Sequence, residues 1–221
     1  MNEKGFTPES AIRYGWETMK KNLGFFIGVL LLAGFTVIIP NIISKLTEES
    51  MPVFSTCFSV LGGIFQIIVS MGLIRISLNF VDNVESRAGD LFSCIPLLLK
   101  YFIASLIYGI IVGFGLILFI VPGIIWAIKF QFYSYFIVDK GSGPIEALKQ
   151  SSAITRGVKG DLFVLGLLLF LINLLGALCL LIGLFATIPT AMVALAFVFR
   201  TLQAMTGSDQ ETDETAAVGN T

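Results

Sequence analysis

The sequence predicts an all-α polytopic membrane protein with six transmembrane helices arranged as three hairpins. Each hairpin is expected to follow a cytoplasmic amphipathic helix lying in the membrane interface. Three observations lead there. Of 221 residues, 56% are hydrophobic and only 13% charged, against about 25% charged in soluble domains. From Tyr101 to Val138 the single formal charge is Lys129. A spanning helix needs about 20 apolar residues, so that stretch holds two spans and almost no loop. Apolar runs of this kind also alternate along the chain with short polar segments of helical periodicity.

The first interfacial helix is placed at residues 8–21. Thr7-Pro8 supplies a cap and a first-turn proline. Ile12, Trp16, Met19 and Leu23 share one face; Arg13, Glu17, Lys20 and Lys21 occupy the other. Glu9–Arg13 and Glu17–Lys21 stand four apart in the favourable order. An apolar stripe with Trp opposite a basic face describes a helix in the plane of the headgroups. These residues are charged throughout and do not read as a signal peptide.

Span one covers residues 23–43, with a Gly24/Gly28 pair able to admit a neighbouring helix. Residues 53–81 exceed one span. Gly62-Gly63 reads as a break, which leaves span two at 63–81 with Gln66 and Arg75 inside it. A second interfacial segment is expected at 91–100, kinked by Pro96, before spans three (101–121) and four (124–138). The reversal between them falls at Val121-Pro122-Gly123, because Pro lacks a donor and Gly tolerates unusual dihedrals. Gly143-Pro144 opens the third interfacial helix, 144–157, which carries Lys149 and Arg156. Span five follows at 162–182, and Pro189 starts span six, 189–205. Residues 1–206 are thus one membrane domain. Residues 207–221, with Asp209, Glu211, Asp213 and Glu214, read as a disordered acidic tail.

The segment Thr7-Pro8-Glu9-Ser10-Ala11-Ile12, leading to Lys21-Asn22-Leu23, parallels Gly143-Pro144-Ile145-Glu146-Ala147-Leu148, leading to Gly160-Asp161-Leu162. With a degenerate middle copy from about Ala88, the chain reads as one unit used three times, a frequent device in membrane folds. Lys and Arg set the orientation. Lys4, Arg13, Lys20, Lys21, Arg87, Lys100, Lys140, Lys149, Arg156 and Lys159 fall before span one or after spans two and four, whereas the opposite side offers Lys45 alone. Both termini are therefore expected on the cytoplasmic side of the cell membrane.

The ordered series Pro122-Gly123-Ile124, Asp139, Gly143-Pro144, Glu146-Ala147-Leu148, Ser151 and Thr155-Arg156-Gly157 resembles the bacterial YciC-type membrane family. It is similar, too, to the membrane domain that precedes the catalytic domain of some glycerophosphoryl diester phosphodiesterases. The resemblance implies a fold more than a function. The chain contains no histidine, which argues against carrying the phosphodiesterase activity over.

No enzymatic machinery is legible. Lacking histidine, the chain lacks the commonest general base and metal ligand. Cys57, Cys94 and Cys179 are isolated in apolar surroundings, so neither a metal nor a cofactor is expected. Asp82, Asp139 and Asp161 sit at span boundaries, where capping or loop roles are the default. No basic tract of the kind that binds nucleic acid occurs. Three cations fall inside spans: Arg75, Lys129 and Arg200. Each costs about 2.5–3.5 kcal/mol at a helix centre, and less near an interface. Arg75 lies twelve residues past Gly63 and Arg200 eleven past Pro189, so the two are expected at equal depth, either snorkelling or sharing an anion. The resulting expectation is a non-enzymatic module that binds anionic lipid of the bilayer, or a membrane-protein partner, at the cytoplasmic face. The alternative is a small transporter or lipid translocator that uses Arg75, Lys129 and Arg200.

Overall fold

Long Leu-, Ile-, Val- and Phe-rich runs satisfy their own backbone hydrogen bonds only as helices when water is absent, and helices account for nearly the whole chain. The computed structural model describes residues 6–48, 51–179 and 182–218, with side chains as far as Thr206; among the described residues there is no strand. Six helical segments are long and apolar enough to cross a membrane: Leu23–Thr47, Pro52–Val81, Ala88–Leu118, Ile120–Lys140, Lys159–Leu178 and Leu184–Thr206. Large apolar side chains such as Phe35, Ile110, Ile117 and Phe170 are exposed along them. Such an apolar exterior is unfavourable in water and suited to lipid.

Helix α1 (Pro8–Lys21) begins as expected. The Ser10 amide donates to Thr7 Oγ1 at 3.2 Å and the Thr7 amide to Ser10 Oγ at 3.2 Å, a reciprocal cap. Asn22 joins it to α2 (Leu23–Thr47), which is followed by α3 (Pro52–Val81). The expected break at Gly62-Gly63 does not occur, since α3 runs through both glycines. Gly62 instead lets α2 come near: a β-carbon there would stand 3.1 Å from the Asn41 amide nitrogen.

Residues 91–100 do not form one amphipathic helix. Pro96 confines the segment to two 3₁₀ turns, Ala88–Phe92 and Ile95–Leu97, and α4 (Leu98–Leu118) starts at once. The reversal after α4 is at Phe119, extended at φ −157° and ψ 139°, and not at Val121-Pro122-Gly123. Pro122 lies in the first turn of α5 (Ile120–Phe130), where its missing N–H would lack a partner anyway. Gly123 supplies close approach, because a β-carbon there would meet Leu116 at 2.6 Å. The fourth span is interrupted at Gln131-Phe132 and resumes as α6 (Tyr133–Lys140).

Gly143 caps α7 (Pro144–Ile154), and Pro144 takes its first position, as the sequence predicts. α8 (Lys159–Leu178) and α9 (Leu184–Val218) complete the chain. Pro189 lies inside α9 and does not begin it; the loss is a single intrahelical bond near the helix start. The acidic tail expected at 207–221 falls outside the residues whose side chains are described.

α2 packs along α3, α4 along α5, and α8 against α9. The segments that precede these pairs pack elsewhere. α1 lies along α9, the Ala88–Phe92 turn along α3, and α7 against α6. Two of these contacts require glycine. A β-carbon on Gly15 of α1 would collide with the Thr190 carbonyl, and one on Gly72 of α3 with the Leu91 backbone. The stripe on α1 is therefore used differently from the expectation. Met19 is buried, Ile12 packs at the edge of the core and Tyr14 stacks on Phe197 at 4.6 Å. Trp16 and Leu23 of the predicted stripe are exposed, at 43% and 42%. The helix docks on protein because Ala11 and Gly15, both small, offer α9 a flat face.

Gly15→Val should therefore separate α1 from α9, at about 1–3 kcal/mol for an overpacked contact. Thermal unfolding of the purified protein in micelles should show a lower Tm than wild type, with earlier proteolysis before Leu23. Trp16→Ala should leave both near wild type.

Candidate functional site

Arg200, Asp82 and Asp139 meet where α3, α6 and α9 converge. Asp82 is the residue that ends α3; its amide donates to the Leu78 carbonyl at 2.8 Å, which points the side chain off the helix end. Asp139 lies in the last turn of α6. Arg200 Nε donates to Asp82 Oδ1 at 2.8 Å and Nη2 to Asp82 Oδ2 at 2.5 Å. Nη1 and Nη2 donate to the two oxygens of Asp139, both at 2.7 Å. Nη1 also reaches Gln203 Oε1 at 2.9 Å. A guanidinium has five N–H donors in a fixed fork, and this one has five acceptors. Asp139 is the most enclosed of the three, with 13% of its side chain exposed against 25% for Arg200 and 34% for Asp82.

That geometry corrects the expectation of three unpaired cations. Arg200 has no donor left for an outside anion, so a phosphate shared with Arg75 would have to displace two carboxylates. The side chains of Arg75 and Lys129 remain without a hydrogen bond or ion pair among the described residues. Lys129 Nζ lies 5.0 Å from the Phe130 ring centre. Arg75 is seven residues before Asp82 on α3, about 10 Å along the axis. The structure brings neither of them to Arg200.

A second cluster seals the interruption of the fourth span. Breaking a helix inside a membrane frees backbone groups that water cannot satisfy, and neighbouring hydroxyls are the usual remedy. Here α7 provides them. Ser151 Oγ accepts from the Phe132 amide at 3.1 Å and donates to the Lys129 carbonyl at 3.1 Å. Thr155 Oγ1 reaches that same carbonyl at 3.1 Å. Ser151 and Thr155 are both fully buried. Gln131 Nε2, at the break itself, is buried without a partner.

The turn into α7 is held at both ends. Gly141 adopts φ 64°, the left-handed conformation that ends α6, and its carbonyl accepts from Lys100 Nζ at 2.7 Å. The Gly143 amide donates to Glu146 at 3.5 Å, Gln150 donates to Glu146 at 3.2 Å and Ser142 donates to Gln150 at 2.9 Å. On α1, Arg13 pairs with Glu17 at 3.1 Å. Lys20 lies over the Trp16 ring at 5.7 Å. Lys21, Lys149 and Arg156 are exposed. Among the described residues no three His, Cys, Asp or Glu side chains are placed to hold a metal.

Residues 92–208 match the family described as Domain of unknown function (DUF7847), over just more than half of the chain. The chain belongs to the DUF7847 family. No curated protein and no solved structure matches it. A relationship to YciC-type proteins or to phosphodiesterase membrane domains is not shown. The DUF7847 segment contains Asp139, Ser151, Thr155 and Arg200, whereas Asp82 comes from the chain before it. The ion-pair node thus joins that segment to the preceding helix pair.

Sequence reasoning placed Asp82 and Asp139 at span ends and stopped there. The available signal was parity. Both follow even-numbered spans, and Arg200 sits near the end of the sixth, so all three belong on one side. Ser151 and Thr155 stood in the quoted motif with no role; four residues apart on a helix, they share a face.

Arg200→Gln should leave the enclosed Asp139 carboxylate facing the half-exposed Asp82 without their shared cation, at a cost of about 1–3 kcal/mol, read as a lower Tm in micelles. Arg200→Lys should recover only part of that, since a single ammonium cannot fork onto both aspartates. In Arg200→Gln, adding Asp82→Asn and Asp139→Asn should raise the Tm again. Equal Tm values for Arg200→Lys and wild type would show that the fork does not matter.

Proposed function

We propose that this chain is a non-enzymatic membrane module that gathers anionic phospholipid at the cytoplasmic face of the cell membrane. The observation that carries the reading is the contrast between its cations. Arg200 is neutralised internally by Asp82 and Asp139, whereas Lys20, Lys21, Lys149 and Arg156 are exposed without carboxylate partners among the described residues. Each cation near an anionic surface contributes about 1 kcal/mol, screened within a Debye length.

The finer architecture belongs to this reading. α2–α3, α4 with α5–α6, and α8–α9 would be three membrane hairpins, each led by a polar segment on the cytoplasmic side, and both termini would lie there. Support for a threefold repeat comes from the packing. Each leading segment contacts the second helix of another pair: α1 on α9, the Ala88–Phe92 turn on α3, α7 on α6. Kinship with the YciC-type family is part of the same reading and rests on the order of Pro122-Gly123, Gly143-Pro144 and Thr155-Arg156-Gly157. The transporter alternative is less favoured, since Arg200 is occupied. The cavities at Phe136–Gln203, Tyr14–Glu85 and Glu17–Lys21 have none of Arg75, Lys129 and Arg200 in their walls.

Native mass spectrometry from nanodiscs holding phosphatidylglycerol and phosphatidylcholine should show phosphatidylglycerol enriched on the protein. Replacing Lys20, Lys149 and Arg156 together by Gln should cut that enrichment severalfold, as should high salt. No enrichment in wild type would sink the lipid reading and favour a protein partner for the basic rim.

Orientation has its own test. With Cys57, Cys94 and Cys179 replaced, Glu48→Cys should react with an impermeant thiol reagent added outside cells, and Arg156→Cys should react only after lysis. The reverse pattern would invert the topology.

A further inference from the structure

A cavity of about 470 Å³ opens between the end of α1 and the end of α3. Tyr14, Thr18, Lys21 and Asn22 line one side, and Phe80, Asn83, Val84 and Glu85 the other. Its level is fixed by the chain. Asn22 immediately precedes the apolar run of α2, and Asn83 comes two residues after α3 ends at Val81. Two apolar helices thus begin and end at its mouth, where lipid headgroups lie. Beneath it Phe80 packs on Phe25 and Phe26, with ring centres 5.5 and 4.8 Å away.

Asn22 on the wall donates to the Thr18 carbonyl at 3.0 Å and Tyr14 stacks on Phe197, but other polar groups there are uncommitted. The Lys21 ammonium, the Thr18 hydroxyl and the Asn83 amide have no hydrogen-bond partner among the described residues. The nearest cation to Glu85 is Arg87 at 3.9 Å, a contact between two largely exposed side chains. The backbone is shaped for this exposure. Asn83 takes φ 56°, the left-handed region that Asn tolerates better than most residues, and the turn brings Glu85 back toward α1.

A cleft with one cation on one wall and one carboxylate on the other is not a site for a simple anion. A phosphatidylglycerol headgroup would satisfy Lys21 and face Glu85 with like charge. The complement is a headgroup that carries both signs, with hydrogen atoms on its cation. A primary ammonium donates hydrogen bonds to a carboxylate; a trimethylammonium cannot. We infer that the α1–α3 cleft binds the phosphoethanolamine headgroup of a bilayer phospholipid, with Lys21 and Thr18 on the phosphate and Glu85 on the ammonium. The aromatic floor of Phe25, Phe26 and Phe80 then meets the start of the acyl chains. Because the site selects a zwitterion, it stands or falls apart from the anionic-lipid reading.

The test is native mass spectrometry of the full chain released from nanodiscs of equal parts phosphatidylethanolamine, phosphatidylcholine and phosphatidylglycerol with matched acyl chains. Wild type should retain phosphatidylethanolamine severalfold over phosphatidylcholine at physiological ionic strength. Glu85→Gln should bring the ratio close to one. Val84→Trp, which fills the cleft without altering charge, should do the same, whereas Lys20→Gln should not. All three positions are exposed, and an unchanged Tm confirms each variant as folded. Soluble glycerophosphoethanolamine should leave the bound lipid in place. Equal retention of the two zwitterionic lipids by wild type overturns the assignment, and so does a Glu85→Gln ratio that matches wild type. Displacement by the soluble ester would show that the headgroup alone suffices and overturns the role given to the aromatic floor.

Discussion

The constraint on which the rest of this structure depends is the guanidinium of Arg200. A cation carried on an apolar helix costs several kcal/mol unless it is paired and fully hydrogen-bonded. Here five donors meet five acceptors from Asp82, Asp139 and Gln203. Because the fork is planar and rigid, this is possible at one mutual placement of α3, α6 and α9. The node therefore sets the register of three helices that apolar packing alone would let slide. It also carries two negative charges for one positive, so Asp82, the most exposed of the three, keeps contact with solvent while Asp139 is enclosed.

Around that node the leading segments act as wedges. α1 lies on α9 through Gly15, and the Ala88–Phe92 turn lies on α3 through Gly72, both at contacts too close for any β-carbon. α7 uses hydroxyls instead, placing Ser151 and Thr155 against the carbonyl freed at Lys129. Each is a device for bringing backbone near backbone, and in an apolar medium such contacts have the force that hydrophobic burial has in water. The polar segments consequently cannot all be free interfacial helices. Part of the surface that looks amphipathic in α1 is protein-facing.

That distinction marks how far the sequence could be read. The apolar runs are legible because nothing but a helix satisfies their backbone, and the starts of α1 and α7 because Thr7-Pro8 and Gly143-Pro144 carry their own geometry. Glycine was misread in both directions. At Gly62-Gly63 a supposed break is a close approach inside an unbroken helix, and near Gly123 a supposed turn is a contact, with the reversal left to Phe119. One residue type serves turns and tight packing alike, and only the neighbouring helix decides between them. The pairing of Arg200 was hidden for a similar reason. It links residues 118 and 61 positions apart, and the aspartates were assigned to local capping, a role consistent with everything near them in sequence.

The partition of polar groups then argues about function in a way that composition could not. Within the bundle and at the helix ends that close it, much of the hydrogen-bonding capacity is consumed internally: Arg200 by two aspartates, the broken span by two hydroxyls, Asn79 by Asp90 at 3.2 Å. Left over there are the Gln131 amide, the Asn173 carbonyl oxygen, the Thr187 hydroxyl and the cations Arg75 and Lys129. At the rim the balance reverses, and Lys20, Lys21, Lys149, Arg156, Thr18 and Asn83 present groups that the fold does not use. A protein that moves a polar solute through its middle needs unspent polar groups at depth, since a solute must exchange its water for them. A protein that organises headgroups needs them at the boundary, above a body rigid enough to hold them at fixed spacing. The three-helix node provides that body, and the function proposed above assigns the unspent groups to the headgroups.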